Sequence, residues 1–355
     1  MSADAVAAPT DAPAGAAEPV REGVAITGGA LTFAVRFFSW GTVAALLVFL
    51  VNNYLTFWQG WPGADSVAAT FGLGNGQGTP GTFGWLQFLA YPALLALTAV
   101  LVVSSTGRTL RVEAASLSDL SAWVIRVAFW IVFLVGLADM VISFARVEGL
   151  LPAWTTPELA QKLGRSTFRG TYVHMPLVGV ALILASITRG ITFIWLALLV
   201  VVAEFAIVIT RFIFSYEQAF MGDLVRFWYA ALFLFASAYT LLEEGHVRVD
   251  VVYASFKRKT RGYINAWGSL LLGLPLCWSI LIVGMGNKAS LINSPLLIFE
   301  VSQSGFGMYV KYLMAGFIAI FAISMMIQFV SYLCDSVAEI RDEPGGRAPA
   351  EEVVH

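Results

Sequence analysis

The chain has 355 residues, of which 58% are apolar and only 12% charged, and its mean hydropathy is +0.78. An ordinary soluble domain, in which about a quarter of the residues are charged, is excluded by that balance. A net charge of −2 leaves no basic excess to neutralise phosphates, which excludes a nucleic-acid-binding role.

Residues 1–30 form an N-terminal tail. Its first 24 residues are Ala, Pro and small polar types with too little apolar bulk to offset the entropy of ordering, so a disordered tail is expected. Two aspartates precede its first basic residue, Arg21, and no cleavage pattern follows. A secretory leader has the opposite order, so the first span is expected to remain in the mature protein.

A helix crosses a hydrocarbon layer about 30 Å thick with about 20 apolar residues. Eight segments meet or approach that length: 31–55, 83–104, 120–145, 172–188, 191–213, 223–243, 263–286 and 309–334. The expected fold is therefore an all-α polytopic membrane protein. Pro176 shortens the fourth segment, and only Thr188, Arg189 and Gly190 part it from the fifth. That spacing predicts a tight helical hairpin, with one long kinked helix as the alternative.

The Gly-rich loop at 56–82 contains no Lys or Arg and suits the far side of the membrane; its glycines lack the Gly-Lys-Ser/Thr ending of a phosphate cradle. The loop at 244–262 carries the run Lys257-Arg258-Lys259-Thr260-Arg261, which basic-residue retention places in the cytoplasm together with both termini. Against this bias runs the outer loop 146–171, with Arg146, Lys162, Arg165 and Arg169. Trp58, Trp61, Trp85, Trp154, Tyr172 and Tyr309 lie near span ends, where aromatic rings anchor in the headgroup layer.

A charge at a helix centre costs about 2.5–3.5 kcal/mol on insertion scales, so each one needs a reason. The candidates are Arg126 and Asp139 in the third segment, His174 at the start of the fourth, Glu204 in the fifth and Arg226 near the start of the sixth. Glu204 is the deepest; it is either protonated or met by a partner, as an ion or proton site or as a plain interhelical hydrogen bond. Asp139 and Arg126 are separated by about 20 Å along one helix and cannot pair with each other.

The chain has three histidines: His174 expected at the outer surface, His246 at the inner surface, and His355 at the C-terminus. No two face each other at one depth, so a bis-histidine haem is not expected, nor is a metal or Ser-His-Asp constellation. Cys277 and Cys334 stand alone in apolar runs and read as packing residues. The expectation is a protein that is not an enzyme and holds no cofactor.

The densest polar pattern is LLEEGHVRVDVVY at 241–253, where Glu243 and Glu244 precede His246, Arg248 and Asp250 alternating with valines. Period-two alternation predicts a short extended or amphipathic stretch that pairs charges or binds a partner, with a solvated loop as the plain alternative.

From Trp195 to Glu339 the sequence resembles the small membrane subunit (Q subunit, DctQ-type) of tripartite ATP-independent periplasmic (TRAP) transporters. The resemblance rests on ITRFIF with Arg211 and Phe212, on the arm SYEQAFMGDLVRF with Asp223 and Arg226, and on Gly245-His246-Val247-Arg248-Val249-Asp250. Glu300 and Ser302 before the last helix and Gln328 within it continue the pattern. Two departures stand out. The family usually has Glu where this chain has Asp223, and its core has four helices, leaving residues 31–190 as an unexplained N-terminal extension ahead of a Q-like domain at 191–340 and a cytoplasmic tail at 341–355.

The resemblance implies the scaffold subunit of a sodium-coupled uptake system for organic acids in the bacterial inner membrane. A periplasmic binding protein would deliver the substrate, a large membrane subunit (M subunit) would carry it by an elevator motion, and this chain would brace that subunit among the lipids, with an amphipathic arm helix at 214–222. Arg211 and Asp223 would tie helix ends across the arm; Arg248 and Asp250 would organise the inner loop, with Arg226, Glu244 and His246 in the same partner or structural motif. The rival class is a self-sufficient transporter or channel whose path is lined by Glu204, Asp139 and Arg126.

Overall fold

The structure is a computed structural model that describes residues 28–73, 79–190, 193–242, 251–302 and 306–344. Among the described residues there is no strand, and eight helices are long and apolar enough to cross a membrane. These are α1 (Ala30–Phe57), α2 (Gly81–Ser104), α3 (Leu110–Val147), α4 (Ser166–Ile187), α5 (Ile194–Phe214), α6 (Ala219–Leu241), α7 (Arg258–Met285) and α8 (Lys311–Ile340). Short helices at Ala64–Thr70, Leu151–Trp154, Pro157–Leu163 and Asn293–Ile298 fold into the connections expected on the outer side.

The centre of the bundle is the pair α3 and α8, which share the most extensive interhelical contact; α8 also packs on α1, α6 and α7. One core cluster joins Leu110 and Leu117 of α3 to Met326, Val330 and Cys334 of α8 and Leu281 of α7. A second joins Val132 and Val135 of α3 to Phe227 and Phe235 of α6 and Phe317 of α8. The spans before residue 190 and those after it therefore share their cores through α3. Helices α2 and α5 lie at the periphery: α2 packs on α1 and the short helix after it, and α5 packs on α6.

The α3–α8 seam is built from small hydroxyl residues, which let backbones approach closely and satisfy polar groups where lipid offers no partner. Ser331 Oγ donates to Ala114 O at 2.7 Å and lies 2.8 Å from Ser118 Oγ; Ser121 Oγ donates to Ser324 O at 3.0 Å. Gln328, singled out from the sequence, donates to Ser118 Oγ at 3.2 Å.

Helix α3 has 38 residues, ten more at its N-terminus than the apolar run predicts. At about 1.5 Å per residue it far exceeds a hydrocarbon layer of about 30 Å. Its first turns carry Arg111, Glu113 and Asp119, so the apolar signal begins only after them. Thr109 caps this extension, its hydroxyl accepting from Val112 N.

Two helices contain a π turn, each just ahead of a proline: Gly170–His174 before Pro176, and Ser269–Gly273 before Pro275. Proline offers no N–H, and its ring crowds the carbonyl four residues earlier, which lies within the π turn in both helices; one wider turn accommodates both while the helix continues. Pro176 thus does not shorten the fourth span, which starts at Ser166. The backbone turns extended at Thr188 (φ −90°, ψ 129°), so α4 and α5 are two helices and not one kinked rod. They do not form a packed hairpin, because α4 rests on α3 and α5 on α6.

The arm is not a separate amphipathic helix. Residues 215–218 form a turn with Ser215 in the left-handed region (φ 49°), and α6 resumes at Ala219 with Phe220 buried. Glu244, His246, Arg248 and Asp250, with the alternation around them, lie outside the described residues.

Candidate functional site

A cluster of buried ionisable groups, Asp139, Arg169 and His174, lies at the end of α3 expected to face outward. Asp139 is fully buried on α3 and accepts three hydrogen bonds. Arg169 Nη1 donates at 2.7 Å, Tyr309 N at 2.7 Å and His174 Nε2 at 3.3 Å. Arg169, also fully buried, donates through Nε to Leu163 O at 2.6 Å and through Nη1 to Ser143 Oγ at 3.0 Å, and its guanidinium lies 4.3 Å above the Tyr309 ring. His174 Nδ1 lies 2.8 Å from Tyr312 Oη.

In the neutral tautomer with Nε2–H directed at Asp139, Nδ1 accepts from the Tyr312 hydroxyl. The group bridges α3, α4, the loop before α8 and α8 itself. It is a clamp with its acceptors occupied.

The expectation that His174 lies at the outer surface is corrected: its ring is fully buried. Helix α4 begins six residues earlier than the apolar run predicts, at Ser166, and the π turn ending at His174 rotates the imidazole into the bundle. Tyr309 likewise is not a headgroup anchor; its hydroxyl donates to Gly164 O at 3.0 Å and accepts from Arg146. By contrast Trp58, Trp85, Trp154 and Tyr172 do face outward. The basic loop at 146–171 runs against the charge bias for a physical reason. Arg146 and Arg169 are neutralised or bonded internally and Lys162 pairs with Glu158 at 2.7 Å, which holds that carboxyl below its ordinary value.

At the opposite end of the bundle stands an ion pair that the sequence reading did not single out. Arg36 of α1 meets Glu113 of α3 at 2.7 Å, both buried, while Trp40 Nε1 donates to the same carboxylate at 2.9 Å. Arg36 also reaches Ser105 Oγ at 2.6 Å just past α2, so one guanidinium ties three helix ends. The available signal was a lone arginine six residues into an apolar run and a glutamate four residues past a threonine cap.

Arg126 donates through Nε to Ala185 O at 3.4 Å, meeting one of the orphan carbonyls in the last turn of α4, where a cation is favoured. Asp223 accepts from Met308 N at 3.0 Å and Ser302 Oγ at 3.4 Å, binding the start of α6 to the loop before α8. Its other oxygen takes a 3.4 Å contact from the exposed Arg226. Arg211 pairs with Glu217 at 3.4 Å, within the turn. Arg211 and Asp223 therefore anchor the arm through separate partners and do not meet each other. Tyr216 Oη donates to Glu148 at 2.6 Å, and its own pKa is pushed up to about 12 by burial and by that carboxylate.

The three residues of the carrier reading do not converge: Asp139 is saturated, Arg126 caps α4, and Glu204 stands exposed on α5. A cavity of about 440 Å³ opens beside Met140, Phe144, Thr210, Phe214 and Met221, with Glu148 on its rim already bonded to Tyr216. Its lining holds no basic residue for an organic anion. Cys277 and Cys334 are buried free thiols, and among the described residues no cluster of His, Cys, Asp or Glu has metal-binding geometry.

The fold and these ties define a polytopic helical membrane protein whose buried charges join helices to one another. Residues 198–338, from α5 to the last turn of α8, match the family model of tripartite ATP-independent periplasmic transporters, DctQ component. The C-terminal region is thus similar to the small membrane component of such transporters, and the DctQ family is a transporter-component family rather than an enzyme family. No curated protein and no solved structure matches the chain.

Proposed function

We propose that the chain is the scaffold subunit of a TRAP-type, sodium-coupled uptake system for organic acids, resident in the bacterial inner membrane with both termini in the cytoplasm. It braces a large membrane subunit that moves the substrate delivered by a periplasmic binding protein. The observation that carries this reading is the occupancy of the charges buried inside the bundle. Asp139, Arg169, Arg36 and Glu113 are each bonded within the chain, so they stiffen the bundle and leave no charged path for a solute. An elevator needs one part held still in the bilayer, and eight cross-tied helices resist tilting better than four. The family match over 198–338 supports the same role.

The test is affinity purification of the tagged full chain from native membranes in mild detergent. Co-purification of a much larger polytopic protein is expected, and purified chain alone in liposomes is expected to take up no organic acid under a sodium gradient. Uptake by the chain alone would overturn the proposal and restore the self-sufficient carrier.

A further inference from the structure

Glu204 sits at the middle of α5, about 15 Å from either end by helical rise. It is exposed, and among the described residues no hydrogen bond or ion pair reaches it. Helix α5 rests on α6 through Leu196 and Ala203, while Val201, Phe205, Val208 and Phe212 face outward with Glu204. A lone carboxylate surrounded by such residues at the bilayer midplane is costly whether it stays charged or gives up its charge. A cationic group that meets it offsets that cost, and the apolar collar then excludes water and strengthens the attraction.

Peripheral helix α2 supplies the contrast. It too exposes a broad apolar face, with Leu86, Leu97, Val100 and Leu101, but it carries no charged residue along its length. That face is complete against lipid tails, whereas the face of α5 is not.

We propose that the outer face of α5 docks a membrane-spanning helix of another protein that presents a lysine or arginine opposite Glu204. The exposed Ala206 beside it leaves room for close approach of the partner backbone. A two-fold contact with a second copy of this chain does not fit that requirement, because it sets Glu204 against Glu204; of the arginines nearest mid-depth in the described spans, Arg126 is engaged with α4 and Arg226 pairs with Asp223 on its own helix. The proposal rests on the scaffold reading and specifies where the large subunit attaches.

The experiment places a photo-crosslinking amino acid at Val201 or at Val100 in the full chain, in native membranes, and sequences the captured peptides. The expected result is capture from Val201 but not Val100 of an apolar span containing Lys or Arg. Glu204→Gln and Glu204→Leu should lower that yield by about tenfold or more while leaving the purified chain as heat-stable as before. Capture of only lipid or a second copy from Val201 overturns the proposal, as does an undiminished yield in Glu204→Leu. If affinity purification recovers the large subunit but α5 does not contact it, the docking face is wrong and the scaffold reading stands. If no large partner is recovered at all, both fall.

Discussion

The carboxylate of Asp139 lies 2.7 Å from the guanidinium of Arg169, with neither side chain exposed. Removing one partner leaves the other buried and uncompensated, a loss of about 3–5 kcal/mol. Asp139→Ala or Arg169→Ala should each lower the thermal midpoint of the detergent-solubilised chain sharply. Asp139→Leu combined with Arg169→Met removes both charges and should recover most of that loss, because paired removal spares the desolvation penalty. A double variant as unstable as the sum of the single ones would show that the two groups act independently.

At the other end of the bundle, the two arginines facing Glu113 are predicted to differ. Arg36 is buried at 2.7 Å, while Arg108 is half-exposed at 3.5 Å. Arg36→Met should cost about 3 kcal/mol or more, since a buried carboxylate loses its close cation. Arg108→Met should cost about 0–1 kcal/mol, as exposed pairs do. Thermal unfolding of the two variants side by side checks the ranking.

These two junctions show what the sequence makes legible and what it hides. All eight spans can be counted from apolar run length, because the bilayer imposes one scale on every crossing. The first turns of α3 were hidden, since Arg111 and Glu113 read as a loop until their partners on α8 and α1 are known. Asp139 was recognisable as a residue in need of a partner, but Arg169, thirty positions later in a loop that reads as solvated, was not. His174 was misplaced because a π turn shifts the helix face and a 3.6-residue period cannot register it. Glu204 reads from the sequence as either protonated or met by a partner from another helix, and among the described residues of this chain no such partner is present.

Glu343, just beyond α8, is buried beside Arg341, with Nε 3.7 Å from Oε1. Burial raises its pKa above the ordinary 4.5, an effect that Arg341 and Arg111 only partly offset. A carboxyl whose folded pKa is raised favours the folded state in its neutral form, and that contribution is lost as pH rises through the raised value. Glu343→Gln should therefore be more heat-stable than the parent near neutral pH, with the difference closing as the pH falls below the ordinary 4.5. A difference that widens on acidification would mean that the ionised carboxylate is the favoured form.

The seam between α3 and α8 offers a prediction that separates hydrogen bonding from close packing. Ser331 Oγ donates to Ala114 O at 2.7 Å and stands 2.8 Å from Ser118 Oγ. Interhelical hydrogen bonds in membranes average about 0.6 kcal/mol, so Ser331→Ala should shift stability by no more than about 1 kcal/mol. Ser331→Leu instead forces a branched side chain between two backbones in contact, and overpacking of that kind costs about 1–3 kcal/mol. Because this seam joins the extension to the Q-like region, the leucine variant should also expose the connections between them to protease in detergent, while the alanine variant stays resistant. Equal effects of the two substitutions would mean that the hydroxyl contact, not the closeness of the helices, holds the bundle together.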